Sequence, residues 1–187
     1  MSPAGHQGVE HTANLLGALA LSLHDRMSEA IGEATGQNET GAAMLSVLHQ
    51  YLDRPTIGML DQVVGLSHSG AVRLIDRLEA EGHLKRVSGS DARSRSVGLT
   101  RSGQRAATRV AHARAQVLEG VLAELSEEDR RTLDELISRV LVQLIRGPGA
   151  RRWMCRLCDT GACGREAGAC PVANTARERF GREPGAQ

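Results

Sequence analysis

Aromatic side chains are almost absent from this chain of 187 residues, which has one Trp, one Tyr and one Phe. A core without aromatic rings must be built from Leu, Val, Ile, Ala and Met, which are plentiful here. A chain of this length can bury a sizeable core in one domain and still carry an appendage. We therefore expect one domain with an aliphatic core.

Long apolar runs and a leader segment are also missing. No stretch approaches the roughly 18 apolar residues that a membrane span requires. The start, Met1 to Gly5, lacks a basic segment followed by an apolar one. The net charge of only +1 argues against a polybasic protein that coats nucleic acid without specificity. We expect a cytoplasmic protein with no membrane partner.

The usual catalytic motifs are absent as well. The seven histidines form neither an HxxxH nor an HExxH pair. No phosphate-binding glycine loop and no Ser-His-Asp grouping stands out. We therefore expect that this protein is not an enzyme.

The stretch from Leu66 to Glu81 has the pattern of an amphipathic helix that follows a tight turn. Ser67 is a good N-cap residue, and Gly65 favours a turn out of the short apolar segment Ile57 to Val64. At about 100° per residue, the apolar side holds Ala71, Leu74, Ile75 and Leu78, and the other side holds Ser69, Arg73, Asp76, Arg77 and Ala80. This order is typical of a helix-turn-helix whose second helix enters a DNA groove, and an ordinary surface helix is the alternative.

The residues after this helix have the pattern of a basic β-hairpin. Leu84 to Val87 and Arg95 to Leu99 favour strands, and Ser88 to Ser94 favours a turn. Between His68 and Arg105 there are eight basic and four acidic residues. That local excess is expected of a wing that contacts DNA phosphates.

Long helices are predicted on both sides of this unit. Residues 1 to 8 are expected to be disordered, and helical periods follow over Val9 to Ala34 and Ala43 to Leu52. Thr56 is predicted to cap the first helix of the helix-turn-helix, Thr100 a helix that ends near Leu125, and Ser126 the next helix. The apolar stripes of the long helices are wider than a small winged-helix lobe can cover, which favours a homodimer over an intramolecular hairpin.

Several marks in this region match a known family. They are LSHSGAVRLIDRLEAEGHLKR, the wing segment Asp91 to Ser94, and Leu99-Thr100 followed by Gly103. Through them the segment Leu15 to Ile145 resembles the MarR family of winged-helix transcription regulators. The resemblance implies a homodimer built by the first helix and the last two, with paired wings that straddle a palindromic operator in double-stranded DNA. Many relatives have proline where this chain has Ser69-Gly70, so the base preference stays open.

The resemblance also implies roles for individual residues. By position, major-groove contacts fall on Ser67, His68, Ser69 and Arg73, and a minor-groove contact falls on Arg93, braced by Asp91. Arginine suits both roles, because it can pair with guanine and is attracted to a narrow minor groove. Ser67 acting only as a cap, and Asp91 with Arg93 acting only as a turn ion pair, are the alternatives. Phosphate contacts or solvated charges are expected at Arg77, Arg86 and Arg95.

All four cysteines lie in the last part of the chain, after the family pattern ends near Arg146. Their spacing is C-x2-C-x4-C-x6-C, over Cys155, Cys158, Cys163 and Cys170. Four thiolates this close in sequence can close on one metal ion, and zinc is favoured. An iron-sulfur cluster is the alternative, since the last cysteine precedes Pro171, and free redox thiols are a third interpretation.

The sequence thus predicts residues 9–146 as a DNA-binding and dimerisation domain and 147–187 as a cysteine-rich, metal-binding tail. The predicted function is a sequence-specific transcription regulator that responds to a metal, redox or small-molecule signal. The alternative is a metal or iron-sulfur redox protein that uses a winged-helix scaffold for protein contacts.

Overall fold

Residues 4–88, 95–147 and 153–181 are described by the computed structural model. This part of the chain is mainly helical and contains one antiparallel hairpin. The predicted fold class, mainly α with a winged helix-turn-helix, is confirmed. In chain order the elements are α1 (Ala4–Thr35), α2 (Glu39–Gln50), α3 (Ile57–Val64), α4 (His68–Ala80), β1 (Leu84–Ser88), β2 (Arg95–Leu99), α5 (Arg101–Leu122), α6 (Glu127–Leu141), a 3-10 turn (Val142–Leu144) and α7 (Pro171–Phe180).

Side-chain caps set the starts of most of these helices. In each case a side-chain oxygen accepts a hydrogen bond from a backbone N–H of the first helical turn, which has no partner inside the helix. The capping residues are Asn38, Thr56, Ser67, Thr100 and Ser126. Four of these caps were predicted from the sequence, and the Asn38 cap is new.

Some predicted bounds are wrong. Helix α1 begins at Ala4, so residues 4–8 are helical and not disordered, while residues 1–3 lie outside the described part. Helix α2 begins at Glu39, four residues before the predicted start, because Asn38 caps it. Helix α7 was not predicted; Cys170 is its N-cap, and Pro171 stands at its first turn, where a missing N–H costs nothing.

The main core lies under α4. Its inner side is buried against α2, α3, the hairpin and the start of α5, as the helical period predicted. The side chains that are fully buried there are aliphatic: Met44, Leu45, Val47, Leu60, Val63, Ile75, Leu78, Leu84 and Val97. The aliphatic core expected from the composition is therefore present.

The hairpin is held to this core at its base. Strands β1 and β2 pair in antiparallel register from Leu84 opposite Leu99 to Ser88 opposite Arg95. A further bridge joins Thr56 to the buried Ser96, and the Val97 N–H donates to the Pro55 carbonyl at 3.1 Å. The α2–α3 connection thus acts as a short third strand, which fixes the hairpin relative to α3.

The long helices are only partly covered within one chain. Helix α1 packs on α5, where Arg109 donates to the carbonyl of Ala34 at 3.1 Å and Ile31 is buried beside Val110. Helix α6 has no buried residue in the single chain. Among the described helices, none is both long and apolar enough to cross a membrane.

A close approach between Gly103 of α5 and His83, in the turn that follows α4, gives a test of this packing. A Cβ on Gly103 would lie 2.0 Å from the His83 carbonyl oxygen, a backbone atom that cannot rotate away. That oxygen also accepts from the Thr100 N–H at 3.0 Å. We expect Gly103→Ala to lower the free energy of unfolding by about 1 to 3 kcal/mol in urea titrations followed by circular dichroism, the usual cost of overpacking.

A second glycine of α5 is the matched control. A Cβ on Gly120 meets nothing within 4 Å. Because alanine is the better helix former by about 1 kcal/mol, Gly120→Ala should leave stability unchanged or raise it. Equal losses from both substitutions would contradict the packing explanation.

Candidate DNA-binding surface and cysteine cluster

The outer side of α4 is a polar surface carried on a firmly capped helix. The Ser67 hydroxyl accepts from the Gly70 N–H at 3.2 Å and lies 3.3 Å from the Ser69 hydroxyl. Gly65 closes α3 in the left-handed conformation, with φ 67°, which glycine adopts without strain. The exposed residues of this surface are Ser67, His68, Ser69, Arg73, Asp76, Arg77 and Ala80.

His68 is oriented by a residue that the sequence did not single out. Its Nδ1 lies 3.0 Å from the Oδ2 of Asp61, a mostly buried carboxylate on α3. The contact ties the first turn of α4 to α3 and leaves the Nε2 edge of the ring facing outward. No sequence signal pointed to Asp61, because its partner lies across the turn.

Arg73 and Arg77 differ in their surroundings. Among the described residues, Arg73 has no hydrogen-bond or ion-pair partner. Arg77 points back toward the α1–α2 connection, where its Nη2 lies 3.5 Å from Gln37 Oε1 and 3.4 Å from Asn38 Oδ1. Its Nε also lies 3.9 Å from a carboxylate oxygen of Glu81. Arg73 is therefore the freer cation of the two.

Arg86 joins the hairpin to α4. Its guanidinium contacts the carboxylates of Asp76 and Glu79, and its backbone N–H donates to Glu79 at 3.1 Å. Hydrogen bonding to Asp76, followed by the charge of Glu79, raises the pKa of Arg86. Of the two roles expected for Arg86, the solvated charge does not agree with these contacts, and the contact with phosphate stays a prediction.

The tip of the hairpin lies outside the described residues. Asp91 and Arg93 fall there, and Arg95 is described only through its backbone in β2. The predicted minor-groove contact of Arg93 and the phosphate contact of Arg95 therefore stay predictions.

The four cysteines share one small apolar cluster at the far end of the chain. Cys155 and Cys170 are buried, and Cys158 and Cys163 are half-buried beside them. The end of α6 and the start of α7 complete the cluster with Leu141, Val142, Ile145, Val172, Ala173 and Ala176. The tail therefore brings all four predicted sulfur ligands to one place.

The thiols are close enough to change one another's pKa. A hydrogen bond between Cys155 and Cys158 raises the pKa of Cys155 and lowers that of Cys158, and Arg114 and Arg165 lower the pKa of Cys158 further. Burial, together with the neighbouring Cys170, raises the pKa of Cys163. Among the described residues, no three His, Cys, Asp or Glu side chains are already arranged to hold a metal ion.

Two features of this cluster could stabilise a bound anionic centre. The Cys170 sulfur caps α7 and accepts from the Ala173 N–H at 3.5 Å. Arg165 has a buried Nη1 without a hydrogen-bond partner among the described residues. A buried guanidinium nitrogen with no partner is costly, and an anionic centre beside it would offset that cost.

The cysteine segment also packs against the helix-turn-helix, which the sequence did not predict. Trp153 lies over the turn between α3 and α4, so that a Cβ on Gly65 would come within 2.3 Å of its ring. Arg156 stacks on the Trp153 ring at 3.9 Å and forms an ion pair with Glu39 of α2 at 2.8 Å. Trp153, two residues before Cys155, thus reaches the helix-turn-helix, and Arg156, one residue after Cys155, reaches α2.

Further contacts extend this docking along α2. Leu157 packs against the main core and also against the α1–α5 cluster. The backbone N–H and hydroxyl of Thr160 donate to Gln50 Oε1 at 3.2 and 2.9 Å. The guanidinium of Arg165 lies 5.1 Å from the centre of the Tyr51 ring. The tail is therefore packed on the winged-helix body.

No protein-family model and no curated protein sequence matches this chain. Solved structures do match it. A MarR family protein from Bacillus stearothermophilus is 23% identical, with a TM-score of 0.65, over 75% of this chain and 98% of that one. MepR, a transcription regulator of the Staphylococcus aureus multidrug efflux pump MepA, is 15% identical, with a TM-score of 0.62, over 71% and 98%.

A mutant of S. aureus MepR bound to an oligodeoxyribonucleotide is also similar, at 18% identity and a TM-score of 0.55, over 72% of this chain and 98% of that one. Each of these three structures leaves at least a quarter of this chain unmatched. At such identities the likeness concerns the fold. This chain has the winged-helix fold of the MarR-family transcription regulators.

Proposed function

We propose that this protein is a homodimeric, sequence-specific DNA-binding transcription regulator. The observation that carries the proposal is the outer side of α4, a capped second helix of a helix-turn-helix. It exposes Ser69, His68 and Arg73, and Arg73 has no partner in the described part of the chain. A protein of the same fold has been solved with an oligodeoxyribonucleotide bound. Such a regulator would work in the cytoplasm, where the predicted operator lies.

Arg73 has the properties of a base-contacting residue. Because Arg73 has no ion-pair or hydrogen-bond partner among the described residues, its guanidinium loses no internal contact when it enters a groove. Arginine pairs with guanine through two parallel hydrogen bonds, which discriminates against other bases. His68, held by Asp61, and Ser69 can supplement that contact from the same turn. The wing residues Asp91, Arg93 and Arg95 are proposed to act alongside α4 on the strength of the resemblance.

Unpaired apolar stripes on the long helices support the homodimer. Helix α6 has no fully buried residue within one chain, and residues 8–22 of α1 are likewise exposed. Large apolar side chains that are contiguous and exposed mark interaction surfaces. In these two helices and the turn after α6 they include Leu15, Leu16, Leu19, Leu136, Ile137, Val140 and Leu144, between 45% and 58% exposed.

The second candidate function is a metal or redox protein that uses the winged helix for protein contacts. The cysteine cluster favours it, whereas the polar surface of α4 favours DNA. The two functions differ in their dependence on salt, because a DNA-binding protein releases counterions and loses affinity steeply as salt rises.

Removing the Arg73 side chain tests the DNA-binding role directly. We expect Arg73→Ala to weaken operator binding by about 1 to 3 kcal/mol, since one bidentate base contact is lost. The operator can be selected from random sequences with the wild-type protein, and affinities measured by fluorescence anisotropy over a range of salt concentrations.

Arg131 provides the control for loss of one positive charge. It is an exposed residue of α6 whose partner is Glu127, at 3.1 Å. Arg131→Ala should leave operator affinity within about twofold of wild type. An Arg73→Ala variant that bound the operator as tightly as wild type would refute the proposed contact.

Two leucines of α1 test the dimer. Leu19 lies on the exposed stripe, whereas Leu21, two residues on, faces the opposite way at about 100° per residue. We expect Leu19→Asp to shift the protein toward monomer in sedimentation velocity runs, because a charge would be buried in the interface. Leu21→Asp should remain dimeric, and the idea fails if Leu19→Asp stays dimeric too.

A further inference from the structure

The cysteine cluster combines a complete ligand set with a physical connection to the DNA-binding unit. Cys155 and Cys170 are buried in one apolar cluster, and Cys158 and Cys163 pack against it half-buried. Between the second and fourth cysteines, Gly164 and Gly168 adopt positive φ, which lets the loop turn tightly. The connection runs through Trp153 and Arg156.

We propose that Cys155, Cys158, Cys163 and Cys170 bind one zinc ion, and that the bound ion raises operator affinity by holding Trp153 on the turn between α3 and α4. The second half of this inference rests on the proposed function. The first half, the zinc site, stands on the cluster alone.

The chemistry of the donor set fits zinc. Zinc binds four thiolates in a tetrahedron with bonds of about 2.3 Å, which places the sulfurs nearly in contact with one another. The four cysteines already share one small cluster, so their sulfurs can gather around one ion. An iron-sulfur cluster is the other centre that four cysteines can hold, and the metal analysis below distinguishes the two.

Binding exchanges protons for the metal. Each thiol that is still protonated releases its proton to solvent as a sulfur–zinc bond forms, and neither zinc nor sulfur changes oxidation state. Four thiolates and one Zn²⁺ carry a net charge of −2. The buried, unpartnered Nη1 of Arg165 and the N–H that Ala173 donates to Cys170 stabilise such an anionic centre.

The link to the turn is short. Trp153 is two residues before Cys155, and Arg156 lies between the first two ligands. Closing the cysteines on an ion restricts this segment, so the Trp153 ring stays against Gly65 and Arg156 stays paired with Glu39. The turn places Ser67 and His68, so a segment that steadies it favours the orientation of α4 that enters the groove.

The first experiment measures the metal. Full-length protein purified without chelators should contain one zinc per chain by elemental analysis, and Cys163→Ser should lose most of it. Cys163 is half-buried, so this change disturbs the core less than replacing Cys155. Ala162→Ser, at the exposed neighbouring position, is the control and should keep its zinc. A wild-type protein that holds no zinc, or iron with sulfide in its place, would overturn the zinc site.

The second experiment follows Trp153, the single tryptophan in the chain. Removing zinc with a chelator should shift its emission to longer wavelength, as the ring leaves Gly65 and meets water. Adding zinc back should reverse the shift in the wild type and leave Cys163→Ser unchanged. An emission spectrum that does not respond to zinc would overturn the link to the turn.

The third experiment measures the coupling. The zinc-loaded wild-type protein should bind operator at least about fivefold more tightly than the zinc-free protein, the low end of typical coupling between sites. Trp153→Ala should keep its zinc yet bind operator equally with and without it. Glu39→Gln, which weakens the Arg156 link without touching the turn, should reduce the zinc effect.

The outcomes separate the two proposals. Equal affinity of the loaded and zinc-free wild type, or a zinc effect that persists in Trp153→Ala, would overturn the coupling. Zinc binding and an emission shift in a protein that binds no selected operator at any salt concentration would overturn the proposed function and leave the metal site standing.

Discussion

The burial of the inner side of α4 is the interaction on which the proposed DNA-binding surface depends. Ala71, Ile75 and Leu78 are fully buried there against α2, α3 and the hairpin. Removing apolar surface from water is the dominant favourable term in folding, at roughly 25 cal/mol per Å². Because the helix has one apolar side, this burial also determines which residues face outward. The side of α4 that stabilises the fold and the side proposed to contact DNA are thus opposite sides of one helix.

Polar contacts with neighbouring elements then hold α4 in the orientation that burial gives it. Asp61 holds His68 from α3, Gln37 and Asn38 lie beside Arg77, and the carboxylates of Asp76 and Glu79 hold the hairpin through Arg86. Exposed ion pairs contribute little individually. Their effect here is geometric, because each joins a different neighbouring element to α4. Arg73, alone among these cations, has no such contact in the described part of the chain.

Local patterns predicted the body of this protein well and its long-range contacts poorly. The apolar period of Leu66 to Glu81 and the capping residues Ser67 and Thr100 depend on neighbours within a few residues, so sequence suffices to find them. The pairing of Arg156 with Glu39 joins residues 117 positions apart, and no local pattern in either segment predicts it. Helix α7 was missed because its cap is Cys170, a residue that the cysteine spacing had assigned to metal.

The position of the tail gives the proposed zinc site a direct path to α4. In the proposed homodimer, a route from the tail through α6 would require the two subunits to reorient, because the tail follows α6 in sequence. The packing offers a shorter one, since Trp153 already touches the turn that begins α4. A ligand shifts an equilibrium only as far as its affinities for the two states differ. We expect the affinity for a metal at Cys155 and Cys158 to differ between a docked and a released Trp153, because the same short segment carries both the ligands and the contact.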